Sequence, residues 1–245
     1  MQNESEPEID LSSETEENIN DPIDLRYQLQ PMQEMAQPFA ILACLLKNPG
    51  RILYELQGKR SGTIFAGLFL LMAISLAIHG VVVGSLTGGE QFLIAPLKIV
   101  TGSLIAAAIC LPSLYILQCL GGADVSLRGV GGELLAQAAL TAVLLIGFAP
   151  VAWIFSQSTD AVGLMAFLHL LFWGVALHFG LRLMGRSQES TASAGRGPLR
   201  VWMIVYLLVS LQMMTALRPI IGAAPETLPR EKMFFLAHAW EVFFR

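Results

Sequence analysis

Five long apolar stretches fill the chain between Ile64 and Leu217, and they constrain the fold more than any other feature of the sequence. Each is long enough to cross a hydrocarbon core of roughly 30 Å as an α-helix rising about 1.5 Å per residue. The sequence therefore predicts an all-α fold, a polytopic transmembrane helical bundle. The five predicted spans are Ile64 to Ser85, Ile99 to Leu120, Glu133 to Phe155, Ala161 to Leu183 and Leu199 to Leu217.

Charged residues are scarce, and most of them lie outside these stretches. They make up 14% of the chain, against about 25% in a typical soluble domain. Residues 1–35 are polar and acidic, so the net charge of −4 belongs to this tail. We expect the tail to be disordered, because it cannot bury enough apolar surface to offset chain entropy. It is either a solvated tail or a partner-binding acidic segment.

Residues 36–62 predict an interfacial amphipathic segment that precedes a five-helix transmembrane domain over residues 63–218. The apolar run from Phe39 to Leu46 is too short to span, and the sequence from Lys47 to Arg51 contains an Asn-Pro-Gly turn signal. We therefore expect two short helices at the membrane surface. Their candidate contacts to anionic lipid headgroups are Lys47, Arg51, Lys59 and Arg60.

Two other segments have less definite assignments. Residues 86–98 include Phe92 to Leu97, which either extends the second span or lies along the surface. Residues 219–245 form a C-terminal tail with three prolines and an aromatic end. Because aromatic side chains favour the headgroup level, we expect an interfacial helix in this tail.

The basic residues predict the orientation of the bundle. Nine of those near the span ends fall on the amino-terminal side of the predicted spans and four on the other side. Since short cytoplasmic loops carry the excess of Lys and Arg, we expect a multi-pass membrane protein with a cytoplasmic N terminus and a C terminus on the opposite side. In a bacterium the membrane would be the cell inner membrane.

Polar residues inside the spans are the candidate functional or packing residues. Glu133, Gln137 and Thr141 follow at intervals of four and share one helical face. This face either lies at the membrane edge, where Glu133 stays hydrated, or forms a polar stripe against a partner helix or cavity. Gln118 and Gln212 are expected to hydrogen-bond across helices.

Histidines occur in two of the spans. His169 and His178 are nine residues apart, which places them on opposite faces of one helix and excludes the i, i+4 pair of a helical metal site. We expect each of them, and His79 in the first span, to be a buried side chain hydrogen-bonded to a neighbouring helix.

No sequence motif indicates catalysis or cofactor binding. The chain has no phosphate-binding glycine loop, no HExxH or GxSxG motif and no Asp, Glu, Lys or Arg at the centre of a span. The three cysteines have no CxxC spacing, and no basic stripe indicates nucleic-acid binding. We therefore predict no enzymatic activity, no catalytic residues, no cofactor, no metal site and no nucleic-acid partner.

The organisation of the chain resembles the Yip1-like family of five-span membrane proteins. The resemblance rests on the polar N-terminal region, the NPGRILYEL stretch at Asn48–Leu56, and the segment from Leu120-Gly121-Gly122 to Arg128 between the second and third spans. It covers about residues 45–217. It implies a helical bundle without enzymatic activity that acts in membrane organisation or trafficking through protein partners. The long acidic tail and residues 217–245 depart from a plain five-span core.

Two functions are consistent with these features. The first is a non-catalytic membrane scaffold or adaptor that lies in the lipid bilayer and binds protein partners through residues 1–35 or 233–245. An oligomer of this chain is compatible with that function. The alternative is a small permease or transporter-complex subunit. It is suggested by Pro112 and Pro150 inside spans two and three and by the scattered polar residues of the spans.

Overall fold

In the computed structural model, the described part of the chain comprises residues 38–58, 61–85, 91–123, 125–158, 162–189 and 197–216. Within these ranges the protein has seven α-helices and no strand, so the predicted all-α class is confirmed. The predicted tails, 1–35 and 219–245, lie outside them. The helices are α1 (Pro38–Lys47), α2 (Pro49–Gln57), α3 (Ser61–Ser85), α4 (Gln91–Leu120), α5 (Leu127–Ser158), α6 (Val162–Glu189) and α7 (Gly197–Ala216).

Four helices in the described ranges, α3 to α6, are long and apolar enough to cross a membrane. The prediction of five spans is therefore wrong by one. In α7 the apolar segment is confined to Leu199–Met213, with Arg200 in its first turn. Such a segment of 15 residues is about 22 Å long, which is short of a hydrocarbon core of roughly 30 Å.

The second span is longer than the sequence predicted. α4 begins at Gln91 and continues through Pro96 and Pro112 as one helix. Phe92 to Leu97 therefore extends the second span, which is the first of the two alternatives above.

α5 is the central helix of the described bundle. It packs against α3 and α6, while α4 packs against α3 and α7 packs against α4. The buried face of α5 is rich in alanine, and Ala136, Ala139 and Ala142 are completely buried. Small residues let the backbones of membrane helices approach closely and gain van der Waals contact.

Two glycines mark the closest helix approaches. A Cβ atom added to Gly80 of α3 would lie 2.5 Å from the Cα of Pro96 in α4. A Cβ added to Gly180 of α6 would meet the Thr141 hydroxyl and would lie 2.9 Å from the carbonyl oxygen of Gln137, both in α5. A side chain at either position would force the two helices apart.

The two predicted short helices are present as α1 and α2, separated by the single residue Asn48. Pro49 in the first turn of α2 is compatible with a helix start, because the N–H that proline lacks has no intrahelical partner there. Ile41 of α1 packs at Gly67 of α3, and Leu56 of α2 packs at Gly132 of α5. Ile52 is fully buried. The α1–α2 pair is therefore held against α3 and α5 by its buried apolar side chains.

The outer faces of the bundle are apolar. Phe69 of α3, Ile109 of α4 and Ile154 of α5 are 43%, 53% and 64% exposed. Each of the four long helices leaves more than half of its most apolar segment unburied in the bundle. A surface of this kind is stable in contact with lipid, whereas in water it would be an aggregation hazard.

Candidate functional site

The polar face of α5 lies inside the bundle. Gln137 is completely buried; its side-chain Nε2 donates to the Thr141 hydroxyl at 3.3 Å, and that hydroxyl donates to the Gln137 carbonyl oxygen at 3.0 Å. Gly180 of α6 packs directly on this pair, and the Tyr206 hydroxyl of α7 faces the Gln137 side chain. Gln137 and Thr141 thus form a polar stripe against partner helices, the second of the two alternatives above.

Glu133 lies one turn earlier on the same helix and joins α5 to α4. It is half-buried and accepts a hydrogen bond of 3.1 Å from the side-chain Nε2 of Gln118. Gln118 is therefore one of the cross-helix hydrogen-bonding residues that the sequence predicted. Both residues are near the helix ends that face the loop between α4 and α5, so this contact closes that end of the bundle.

α7 is held on α4 by a tryptophan that sequence analysis did not single out. The buried Trp202 indole N–H lies 3.1 Å from the Ser113 hydroxyl and 3.3 Å from the Cys110 carbonyl oxygen. The Tyr206 ring stacks on the Trp202 ring one turn later. A buried Trp needs an acceptor for its N–H, which was the available signal, but the identity of the acceptor required the helix pairing.

Two histidines from different helices meet in the bundle. The rings of His79 in α3 and His169 in α6 have centroids 5.8 Å apart and an interplanar angle of 77°. Both are at least nine-tenths buried. The sequence predicted a separate partner on a neighbouring helix for each ring and did not predict this pair.

The nitrogen atoms of this pair are poorly satisfied among the described residues. The His79 ring hydrogen-bonds to the Leu145 backbone carbonyl through one nitrogen, while its Nδ1 has no partner. Neither ring nitrogen of His169 has one, so the predicted hydrogen bond to a neighbouring helix is found for His79 and is wrong for His169. A buried polar atom left without a partner costs about 1–3 kcal/mol, so the bundle tolerates a considerable penalty here.

The remaining candidate residues are dispersed. His178 lies on the opposite face of α6 from His169, as its spacing predicted, but it is exposed, so the prediction of a buried side chain is wrong for His178. Gln212 is half-buried on α7. Neither residue is part of the contact between His79 and His169.

The predicted headgroup contacts lie on or near α1 and α2. Lys47 is exposed at the end of α1, whereas Arg51 is half-buried in α2; Lys59 and Arg60 lie outside the described residues. Burial raises the pKa of the neighbouring Cys44 thiol above its ordinary value, although the Arg51 charge opposes this shift.

A groove on the side of the bundle runs between α3, α4 and α5. Its volume is about 1000 Å³, and its wall is almost entirely apolar, with Phe65 and Phe69 of α3 and Leu111 of α4 among the lining residues. Arg128 at the start of α5 is the charged lining residue. The groove is open to the bundle surface.

The fold and these polar contacts define the class: a multi-pass membrane protein built as an all-α bundle. Comparison with protein-family models, curated proteins and solved structures finds no match for the chain. The Yip1-like resemblance is therefore an interpretation of the residues quoted above.

Proposed function

We propose that this protein is a non-catalytic membrane scaffold or adaptor that acts through protein partners in membrane organisation or trafficking. The observation that carries the proposal is the filled contact between α5 and α6. Gly180 packs against Gln137 and Thr141 so closely that one additional carbon atom does not fit. The face of α5 with the most buried polar residues therefore serves helix packing, which suits a rigid anchor better than a solute path.

The short helices α1 and α2 support the same proposal. Their buried face packs against α3 and α5, while Tyr54 of α2 is 45% exposed and Lys47 is exposed at the end of α1. A surface that cannot move relative to the bundle is a suitable platform for a partner, because little conformational entropy is lost on binding. It also lies directly after the acidic N-terminal tail in the chain.

The experiment is crosslinking in native membranes followed by purification of the full chain in mild detergent. We expect a defined partner that is lost when residues 1–35 or 233–245 are removed, and weakened by Tyr54→Ala. Ile109→Ala is the matched control, because Ile109 is similarly exposed but faces lipid from α4. Recovery of the protein alone, as an inert monomer in every variant, would contradict the scaffold proposal.

The permease alternative makes a different prediction. If the stripe on α5 bound a solute, the reconstituted protein would bind or move it, and Gln137→Ala or His169→Ala would weaken that activity. The groove between α3, α4 and α5 does not favour this alternative, since its wall is almost entirely apolar. A solute response that depends on Gln137 would replace the scaffold by a transporter.

We further propose that the N terminus and the α1–α2 pair are cytoplasmic. The proposal rests on the excess of Lys and Arg on that side. The position of the C terminus then depends on α7, which crosses the membrane only if residues beyond Met213 complete the span. Reporter fusions after Glu189 and at Arg245 would show on which side of the membrane the chain lies before and after α7. Fusions active on the same side would show that α7 does not cross.

A further inference from the structure

Helix packing alone does not explain the His79–His169 pair. Among the described residues, α3 and α6 make few contacts with each other, because α5 separates them along most of their length. Two imidazoles are nevertheless brought to a centroid distance of 5.8 Å at this point. His79 lies six residues before the end of α3 and His169 seven residues after the start of α6, so antiparallel helices place both about 9–10 Å from the same end of the bundle.

The hydrogen bonding of His79 is the pattern of a metal ligand. Its ring donates to the Leu145 carbonyl through one nitrogen, and Nδ1 is left unpartnered. A histidine that ligates a metal usually donates its other ring N–H to a carbonyl or carboxylate, which fixes the tautomer and directs the lone pair at the ion. Leu145 is therefore placed as an outer partner, and Nδ1 carries the free lone pair.

His169 supplies the second free nitrogen. Both of its ring nitrogens are buried without a partner, and one of them carries a lone pair in either neutral tautomer. With metal–nitrogen bonds of roughly 2.0 Å, two imidazoles on one ion have ring centroids about 5–6 Å apart. The observed separation falls in that range.

The donor set indicates which ion fits. Among the described residues no group of three or more His, Cys, Asp and Glu side chains comes together, which argues against a tetrahedral zinc site. Met165 lies one turn before His169 on the buried face of α6 and is 2% exposed. Imidazole together with a soft thioether favours copper in its reduced state.

We propose that His79 and His169 bind one Cu(I) ion between α3 and α6, with the Met165 thioether as a neighbouring soft donor. The bound ion links two helices that the apolar core leaves almost unconnected, and it satisfies the orphaned nitrogens. This inference is independent of the scaffold proposal, because a partner-binding protein and a transporter could each carry such a site.

The test uses the purified full chain in detergent, titrated with Cu(I) under reducing conditions against a chromophoric Cu(I) chelator. We expect one ion per chain, and a loss of affinity of at least about 10–100-fold in His79→Phe and His169→Phe, since removing even an outer-shell partner has an effect of that size. His178→Phe is the matched control, because His178 is exposed on the same helix. Absence of binding, or equal binding by all variants, would overturn the proposal.

X-ray absorption on the copper-loaded wild-type protein gives a second readout, which does not depend on whether the variants fold. Scattering from two imidazole rings is expected. A spectrum without imidazole scattering would refute the site, and tighter binding of Zn(II) than of Cu(I) would refute copper as its ion.

Discussion

The contact of Gly180 with α5 makes a quantitative prediction about stability. In Gly180→Ala the new Cβ would meet the Thr141 hydroxyl and would lie 2.9 Å from the Gln137 carbonyl oxygen and 3.1 Å from its Nε2. The carbonyl is part of the α5 backbone and cannot turn away, so the two helices must separate. Overpacking of this kind costs about 1–3 kcal/mol. That cost outweighs the gain in helix propensity of up to about 1 kcal/mol for replacing glycine by alanine.

The matched control is Gly174→Ala, six residues earlier on the same helix. Nothing lies within 4 Å of a Cβ placed at Gly174. This variant gains the same propensity without the clash, so we expect it to be as stable as the wild type or more stable. The assay is equilibrium unfolding in mixed micelles, followed by circular dichroism.

A second substitution identifies the cause of the loss. Thr141→Ala removes the hydroxyl nearest the new Cβ, so Gly180→Ala combined with Thr141→Ala should be less unstable than the sum of the single variants. Directly contacting residues typically show a coupling of about 0.5–3 kcal/mol. Equal stability of Gly180→Ala and Gly174→Ala, or strict additivity with Thr141→Ala, would refute the close α5–α6 approach.

Three further predictions concern α2, α7 and the α1–α2 boundary. Ile52→Ala should destabilise the attachment of α2 by about 2–5 kcal/mol, as for other large-to-small core substitutions, because Ile52 is fully buried. Tyr54→Ala should have little effect, because Tyr54 is exposed. Hydrogen exchange of α2 measures both variants, and equal exchange rates in the two would contradict the packing. Trp202→Phe removes the indole N–H from its two acceptors on α4 and should cost about 0.6–1.7 kcal/mol in the same unfolding assay, with no change arguing against these hydrogen bonds. Because burial raises the pKa of Cys44 above that of an ordinary thiol while the Arg51 charge opposes this shift, its alkylation by a maleimide should accelerate at a higher pH than that of a solvated thiol. Arg51→Gln should raise the pKa further and slow the reaction at pH 8. The thiolate is the reactive form, so a pH–rate profile that matches a small-molecule thiol, measured in a variant without the other two cysteines, would contradict this assignment.

The four long helices could be predicted from the sequence because length and apolar content alone decide whether a segment crosses a membrane. α7 shows where that criterion stops. Its residues up to Leu217 looked sufficient for a span, but the described apolar segment ends at Met213. Apolar length near the threshold depends on the exact helix ends, which are the least certain part of a sequence prediction.

The buried contacts were less predictable, since the spans are apolar on nearly all sides. α3 is apolar on nearly all sides, and its buried polar residues Ser75 and His79, four residues apart, do not indicate which helix that face meets. The pairing of His79 with His169 could therefore not be predicted from periodicity. The topology predicts that His79 and His169 lie at a similar distance from the same end of the bundle, but it does not predict that their side chains face each other. Gly180 and Gly174 likewise look equivalent in the sequence, and only the packing distinguishes them.

The contact of α2 with α5 imposes an order on how the protein is assembled. Leu56 leaves the ribosome 76 residues before Gly132, its packing partner, which corresponds to about 4–15 s at typical rates of synthesis. During that interval the α5 part of the surface on which α1 and α2 pack has not yet been made, so the two helices cannot complete their docking while α3 and α4 insert. α1 and α2 are thus made before their packing partner, and their docking is completed only after α5 has been synthesised.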